Sequence, residues 1–255
     1  MAFPYAISGV PGYEKDESSS QKHPLGTKMV FPDGRTFYYA KNSSAAITTG
    51  GMIVDGKAAV GAHDMDVPVT AATAAGSSTI SLEVPTTDLT KNQYANGYLV
   101  FNDGPGEGEI YEIESHPAHD ASEDATAVFT IRDRGGIATA LTTSSLAGLI
   151  VNPYTDVKLL DGDGTMTTGP LGVTCAPVTA NYYCWLQTSG IGSVAIGAQV
   201  AVVGDGLTIS QQSDESGMAE RTDYSDEADL ANIGVAIAIA SASPDKQLCL
   251  LNIRS

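Results

Sequence analysis

The chain has 255 residues, and its 30 acidic against 13 basic side chains give a formal net charge of −17. That balance disfavours DNA, RNA and anionic membranes as partners, because association would work against repulsion. It suits a particle surface or a salty medium, where self-repulsion is screened. A chain of this length buries roughly 70–75% of its unfolded surface, so no disulfide staple is required.

The N-terminal MAFPYAISGV has no basic region and no long apolar core, so it does not read as a signal peptide. No apolar run approaches the roughly 20 residues of a membrane span. The expectation is a soluble protein made in the cytoplasm. Residues 1–24 contain YEKDESSSQKHP, which is polar and aperiodic, and they read as an extended arm. Such an arm gains order by lying on its own domain, a sister subunit or a larger assembly. Residues 25–155 read as a first β module and 156–255 as a second, with a single domain as the alternative.

Gly and Pro are plentiful, and short β-type runs recur between turn signals, the pattern of an all-β sandwich or barrel with long loops. Strands are expected at 27–31, 35–41, 51–56, 78–84, 97–102, 108–115, 127–133, 147–153, 181–188, 199–205, 233–240 and 247–254. FPDG, residues 31–34, places Pro and Gly where a β-turn wants them and predicts a hairpin. TTDLTKNQYANG (86–97) could hold a short helix capped at Asn96-Gly97. DESGMAERTDYSDEADL (214–230) lacks an apolar stripe and reads as an exposed loop with at most a helical turn. At an offset of 146 residues Leu25-Gly26 matches Leu171-Gly172, and Phe37 and Tyr39 match Tyr183 and Trp185, as a duplicated β module would leave.

NYYCWLQT (181–188) sets Cys184 beside the single tryptophan, as some thiol proteases do. Those nucleophiles sit at helix N-termini. Here a strand would put Tyr182, Cys184 and Leu186 on one face and Tyr183, Trp185 and Gln187 on the other. Cys184 is therefore expected to be a core filler. Cys175, Cys184 and Cys249 are an odd number without zinc spacing and read as buried free thiols. In HPAH, Pro117 opposes the helix that would align His116 and His119 on a metal, so a polar loop is expected. DGDGT offers Asp161 and Asp163, but Gly172 stands where a calcium loop of the EF-hand type needs a glutamate. A calcium site outside that type stays open, beside a plain turn. VGDGL (203–207) reads as a turn by the same logic. NDGPGEGE (102–109) lacks the Lys-Ser/Thr of a phosphate loop, and the Glu107/Glu109 pair reads as a solvated face. No catalytic constellation emerges; the expectation is a protein without enzymatic activity and without a cofactor.

HPLGTKMVFPDGRTFYYAKNSSAAITTG, NQYANGYLVFNDGPGEGEIYEIESHPA, LIVNPYTDV, PLGVTCAPVTANYYCWLQTSG and IGVAIA, in that order, resemble a family of small structural proteins of tailed bacteriophages, many of them marine. The resemblance spans about residues 23 to 253; the arm before His23 and the acidic stretch 211–230 are less typical. It implies a virion component, foremost a decoration (cement) protein on the capsid exterior. Such proteins are β-rich, commonly trimeric and bound to the major capsid protein. A head fibre, tail or shell protein, or a carbohydrate-binding module using Trp185, Tyr98 or Tyr111, are the alternatives. On this reading Phe3, Tyr5 and Tyr13, with His23, are the candidate contact residues of the arm; the alternative for the three aromatics is packing on their own domain.

Overall fold

The computed structural model describes residues 6–84, 87–162, 166–223, 231–238 and 245–254. The chain is all-β: among the described residues the one helical element is a single 3-10 turn, Tyr13–Lys15. It divides into two compact units, residues 1–57 with 153–255, and residues 58–152. The boundary expected at 155/156 falls close to where the chain returns from the inserted unit. The expected first module is not continuous, however, because residues 25–57 hydrogen-bond with strands beyond 153 instead of with 58–152.

In chain order the first unit opens with β1 (Ala6–Ser8), β2 (Lys28–Val30), β3 (Thr36–Lys41) and β4 (Ile53–Asp55). The inserted unit holds β5 (Val67–Pro68), β6 (Thr79–Glu83), β7 (Tyr98–Asp103), β8 (Ile110–Ser115), β9 (Thr126–Ile131) and β10 (Leu146–Ile150). The first unit resumes with β11 (Lys158–Leu159), β12 (Gly172–Thr174), β13 (Tyr183–Ile196), β14 (Gly206–Ile209), β15 (Ala219–Arg221), β16 (Gly234–Ala236) and β17 (Asp245–Asn252).

The inserted unit is a six-stranded antiparallel sheet in the order β5-β10-β7-β8-β9-β6. A bridge between Val69 and Leu82 joins its two ends. Closure removes the exposed edges that would otherwise invite pairing with other chains. Alternation does the rest: Leu99 and Phe101, Tyr111 and Ile113, and Ala127 and Phe129 point inward around Tyr94.

In the first unit the 14-residue β13 serves two rings. Its first half pairs with β3 and β12; β12 pairs with β4, β4 with β11, and a bridge from Val157 to Asn42 returns to β3. Ala40, Val54, Val157, Cys184 and Leu186 fill that ring. The second half pairs with β17, which continues through β16, β14 and β15 back to Ile196 of β13. Val194, Ile196, Leu207, Ile209, Ala219, Cys249 and Leu251 fill this second ring. Gly192 lets the rings share one strand, since a Cβ there would lie 2.7 Å from Leu251.

The FPDG hairpin forms as expected. Gly34 N–H donates to Phe31 O, Phe31 N–H donates to Arg35 O, and Gly34 takes a φ of 87°, a turn closed by a left-handed glycine. The two hairpins matched at an offset of 146, β2–β3 and β12–β13, flank the central antiparallel pair of β3 and β13. Three expectations are corrected. Residues 199–205 are not a strand: Val202 N–H donates to the Asp205 carboxylate and Asp205 N–H to Val202 O, a local turn that removes those groups from any ladder. Residues 87–97 form successive turns instead of a helix, because Asn92 and Asn96 adopt φ of 60° and 62°. Within 214–230, Ala219–Arg221 is the strand β15, laddered on β14; residues 224–230 lie outside the described ones.

Candidate interaction surface

β17 is apolar on both faces. Gln247, Cys249 and Leu251 point into the ring, while Lys246, Leu248, Leu250 and Asn252 point out. Register extends the outward row across three strands. Leu250 faces Ile191 of β13 on one side and Val235 of β16 on the other. Leu248 lies opposite Ser193, and its carbonyl accepts from Ile237 N–H. These five aliphatic side chains are 40–57% exposed, and Val202 and Val203 stand near β16 with similar exposure. Gly204 N–H donates to Ala236 O and thereby brings that turn to β16. Hollows border the rows: one of about 500 Å3 lies under Val235, Leu250 and Asn232, and one of about 280 Å3 lies between Ile191, Leu248 and Arg35. A contiguous aliphatic face of this kind is a candidate contact surface, unlike single exposed apolar residues.

The arm is folded onto the first unit over residues 6–23. β1 runs parallel to β2, Ser18 bridges Tyr183, Glu17 accepts from Thr179, and Lys22 N–H donates to the Tyr39 hydroxyl. His23 packs its ring 5.2 Å from Tyr39 and 5.4 Å from Trp185, so it belongs to an internal aromatic cluster. Tyr13 is exposed on the 3-10 turn. Phe3 and Tyr5 lie outside the described residues.

The chemical candidates are occupied structurally. Cys184 is buried beside Leu186, and burial pushes its thiol up to about 12, far from a thiolate at neutral pH. Cys249 is buried too, but Cys175 is only partly covered, a departure from the expected burial. Replacing Cys184 with Ala is expected to cost about 1 kcal/mol or less in urea unfolding, the effect of a small cavity. His116 Nδ1 bonds Pro117 O and its Nε2 accepts from Tyr94 N–H, while His119 Nε2 bonds Val84 O. Asp161 pairs with Lys158 at 2.7 Å, and Asp163 lies outside the described residues. Glu109 is not a free acid: it accepts from Tyr111 and Thr139. Of the aromatic residues a glycan could stack on, Trp185 and Tyr111 are buried and Tyr98 is exposed.

The sequence reading missed a buried carboxylate. Asp55, fully buried at the end of β4, accepts from the N–H groups of Gly56, Thr167 and Thr168 at 2.7, 2.7 and 2.9 Å, with both threonine hydroxyls close by. Burial raises its pKa, but the donors from Thr167 and Thr168 outweigh that and hold it below the ordinary value. Beside it, Lys41 and Lys57 both bind Asp156. Together these contacts tie the outgoing strand to the returning one within the first unit. Comparison with protein-family models, with curated proteins and with solved structures finds no match.

Proposed function

We propose that the chain is a non-enzymatic structural protein of a virion, a decoration (cement) protein on the outer head surface of a tailed bacteriophage. The observation that carries this reading is the exposed aliphatic face of β13, β16 and β17, a contact surface on a ring whose interior is already filled. Closed rings suit a part whose task is to hold shape under load. The resemblance of its ordered phrases to small tailed-phage proteins supports the choice of particle, and a charge of −17 disfavours contact with the packaged genome. The major capsid protein is the partner, with Tyr13 on the folded arm as the contact candidate toward it.

Purified heads lacking the protein test this. Added protein is expected to cosediment with them and to raise the temperature at which they release DNA. Absence of binding to heads, or turnover of a substrate by the purified chain, overturns it.

A further inference from the structure

We propose that two copies of this chain pair through the outward face of β13, β16 and β17, with Leu250 at the centre of a two-fold contact. The proposal deepens the reading of the chain as an assembly protein and rests on it. Charge selects the partner. Two molecules of net charge −17 repel each other over most of their surface. The outward positions on these strands (Ser189, Ile191, Ser193, Val235 and β17 from Lys246 to Asn252) carry no carboxylate, and the acids bordering Ile191, Glu14 and Asp33, both pair with Arg35, so copies meet here with little opposing charge.

Shape selects the symmetry. Ridges and hollows lie on the same face, so a two-fold seats the Leu250 and Ile191 ridge of each copy in the hollow beside Val235 of the other. A head-to-tail contact would instead set the aliphatic rows against another surface. The outward apolar residues of the inserted unit, Tyr98 beside Ile150 and Ile110 opposite Val100, are interrupted by Glu112, which binds Arg132. The aliphatic rows expose on the order of 500 Å2, the size of the largest apolar patch on a typical monomer, which is often a functional one. With the valines of the 202–203 turn and the polar rim, the face approaches the roughly 800 Å2 that each partner gives to a standard interface.

Sedimentation of the full chain in the absence of heads decides it. At micromolar concentration a species of twice the 26.3 kDa chain mass is expected, and it should persist in high salt because the contact is apolar. Leu250→Asp places like charges across the axis and is expected to weaken pairing about a hundredfold. The milder Leu250→Ser is expected to weaken it about tenfold, with the thermal midpoint of the monomer unchanged in both. Ile150→Asp, on the inserted unit, leaves pairing intact. A monomeric wild type, a trimer, or a dimer indifferent to both Leu250 changes overturns the proposal. A monomer that still binds heads sinks the pairing and spares the virion reading; a dimer that ignores heads does the reverse.

Discussion

Replacing Asp55 with Ala is expected to destabilise the first unit by about 2 kcal/mol, because it orphans the N–H of the buried Gly56 and removes the acceptor that pins Thr167 and Thr168 to β4. The donors of Gly56, Thr167 and Thr168 converge on one carboxylate, and no side chain of alanine can accept from them. Asp55→Asn keeps the shape but turns one acceptor into a donor facing the Thr167 or Thr168 amide, so it is expected to recover only part of the loss. Asp161→Asn is the matched control: its carboxylate is half-exposed and, among the described residues, binds Lys158, and such pairs contribute about 0–1 kcal/mol. Urea unfolding followed by Trp185 fluorescence reads the first unit, since that side chain is packed among Tyr39 and His23. The pH dependence has a definite sign. Because the folded pKa of Asp55 is lowered, its contribution is complete above the unfolded carboxylate range near 4 and is lost as pH falls through the folded value. Equal stability of D55A and D161N would show that the cradle contributes nothing.

The cradle also bears on how a second unit can be inserted at all. Chain leaves the first unit after Lys57 and returns at Pro153. An insertion is tolerated when its two ends are held close by the host. Asp55 joins Gly56 to Thr167 and Thr168, while Asp156 draws in Lys41 and Lys57. The host unit thus fastens both ends with its own side chains.

Much of this fold was legible as alternation, and the gaps have physical causes. Strands such as Thr36–Lys41 and Tyr98–Asp103 have the β-branched, aromatic and turn signals that propensity reads well. The second half of β13 was not read, because SGIGS resembles a turn; there Gly192 answers a close approach by Leu251, and Gly190 sits at a φ of 86° beside Arg35. Gly-rich sequence does not distinguish a bend from a strand under a crowded neighbour. The insertion was invisible because both units have the same β composition, and only long-range pairing separates them. The short β1, β5, β11 and β12 give too few residues for a period to register. QLCLLNIR, residues 247–254, announced a strand apolar on both faces. Sequence alone reads that as a strand covered on both sides, whereas its outward Leu248 and Leu250 stand open. The exposed aliphatic face was therefore in view as hydrophobicity and hidden as exposure.

The inserted unit is expected to lose stability below about pH 6.5, before its carboxylates titrate, because its core holds two histidines that fit only as neutral rings. His116 is matched in one tautomer: Nδ1–H donates to Pro117 O while Nε2 accepts from Tyr94 N–H at 3.0 Å. A proton on Nε2 would oppose that amide. His63 bonds the Tyr94 hydroxyl through Nδ1 at 2.7 Å, and its buried Nε2 has no partner among the described residues. Burial lowers both pKa values; Asp64 pulls His63 the other way and is outweighed. The unfolded chain therefore takes up protons first, so stability is complete above the unfolded histidine value and falls as pH drops toward the folded one. From the unfolded side the loss at pH 5 is bounded at about 2 kcal/mol per histidine. Hydrogen exchange of Leu99, Phe101 and Ile113 amides between pH 8 and 5, corrected for the intrinsic rate, reports the inserted unit alone. Opening is expected to become easier as pH falls in the wild type and to lose about half of that slope in His63→Leu, a variant that gives up the Tyr94 bond and leaves His116 as the remaining core histidine. A slope unchanged by that substitution would place the acid sensitivity elsewhere, and a flat wild-type profile would mean that the imidazoles charge at no cost inside the barrel.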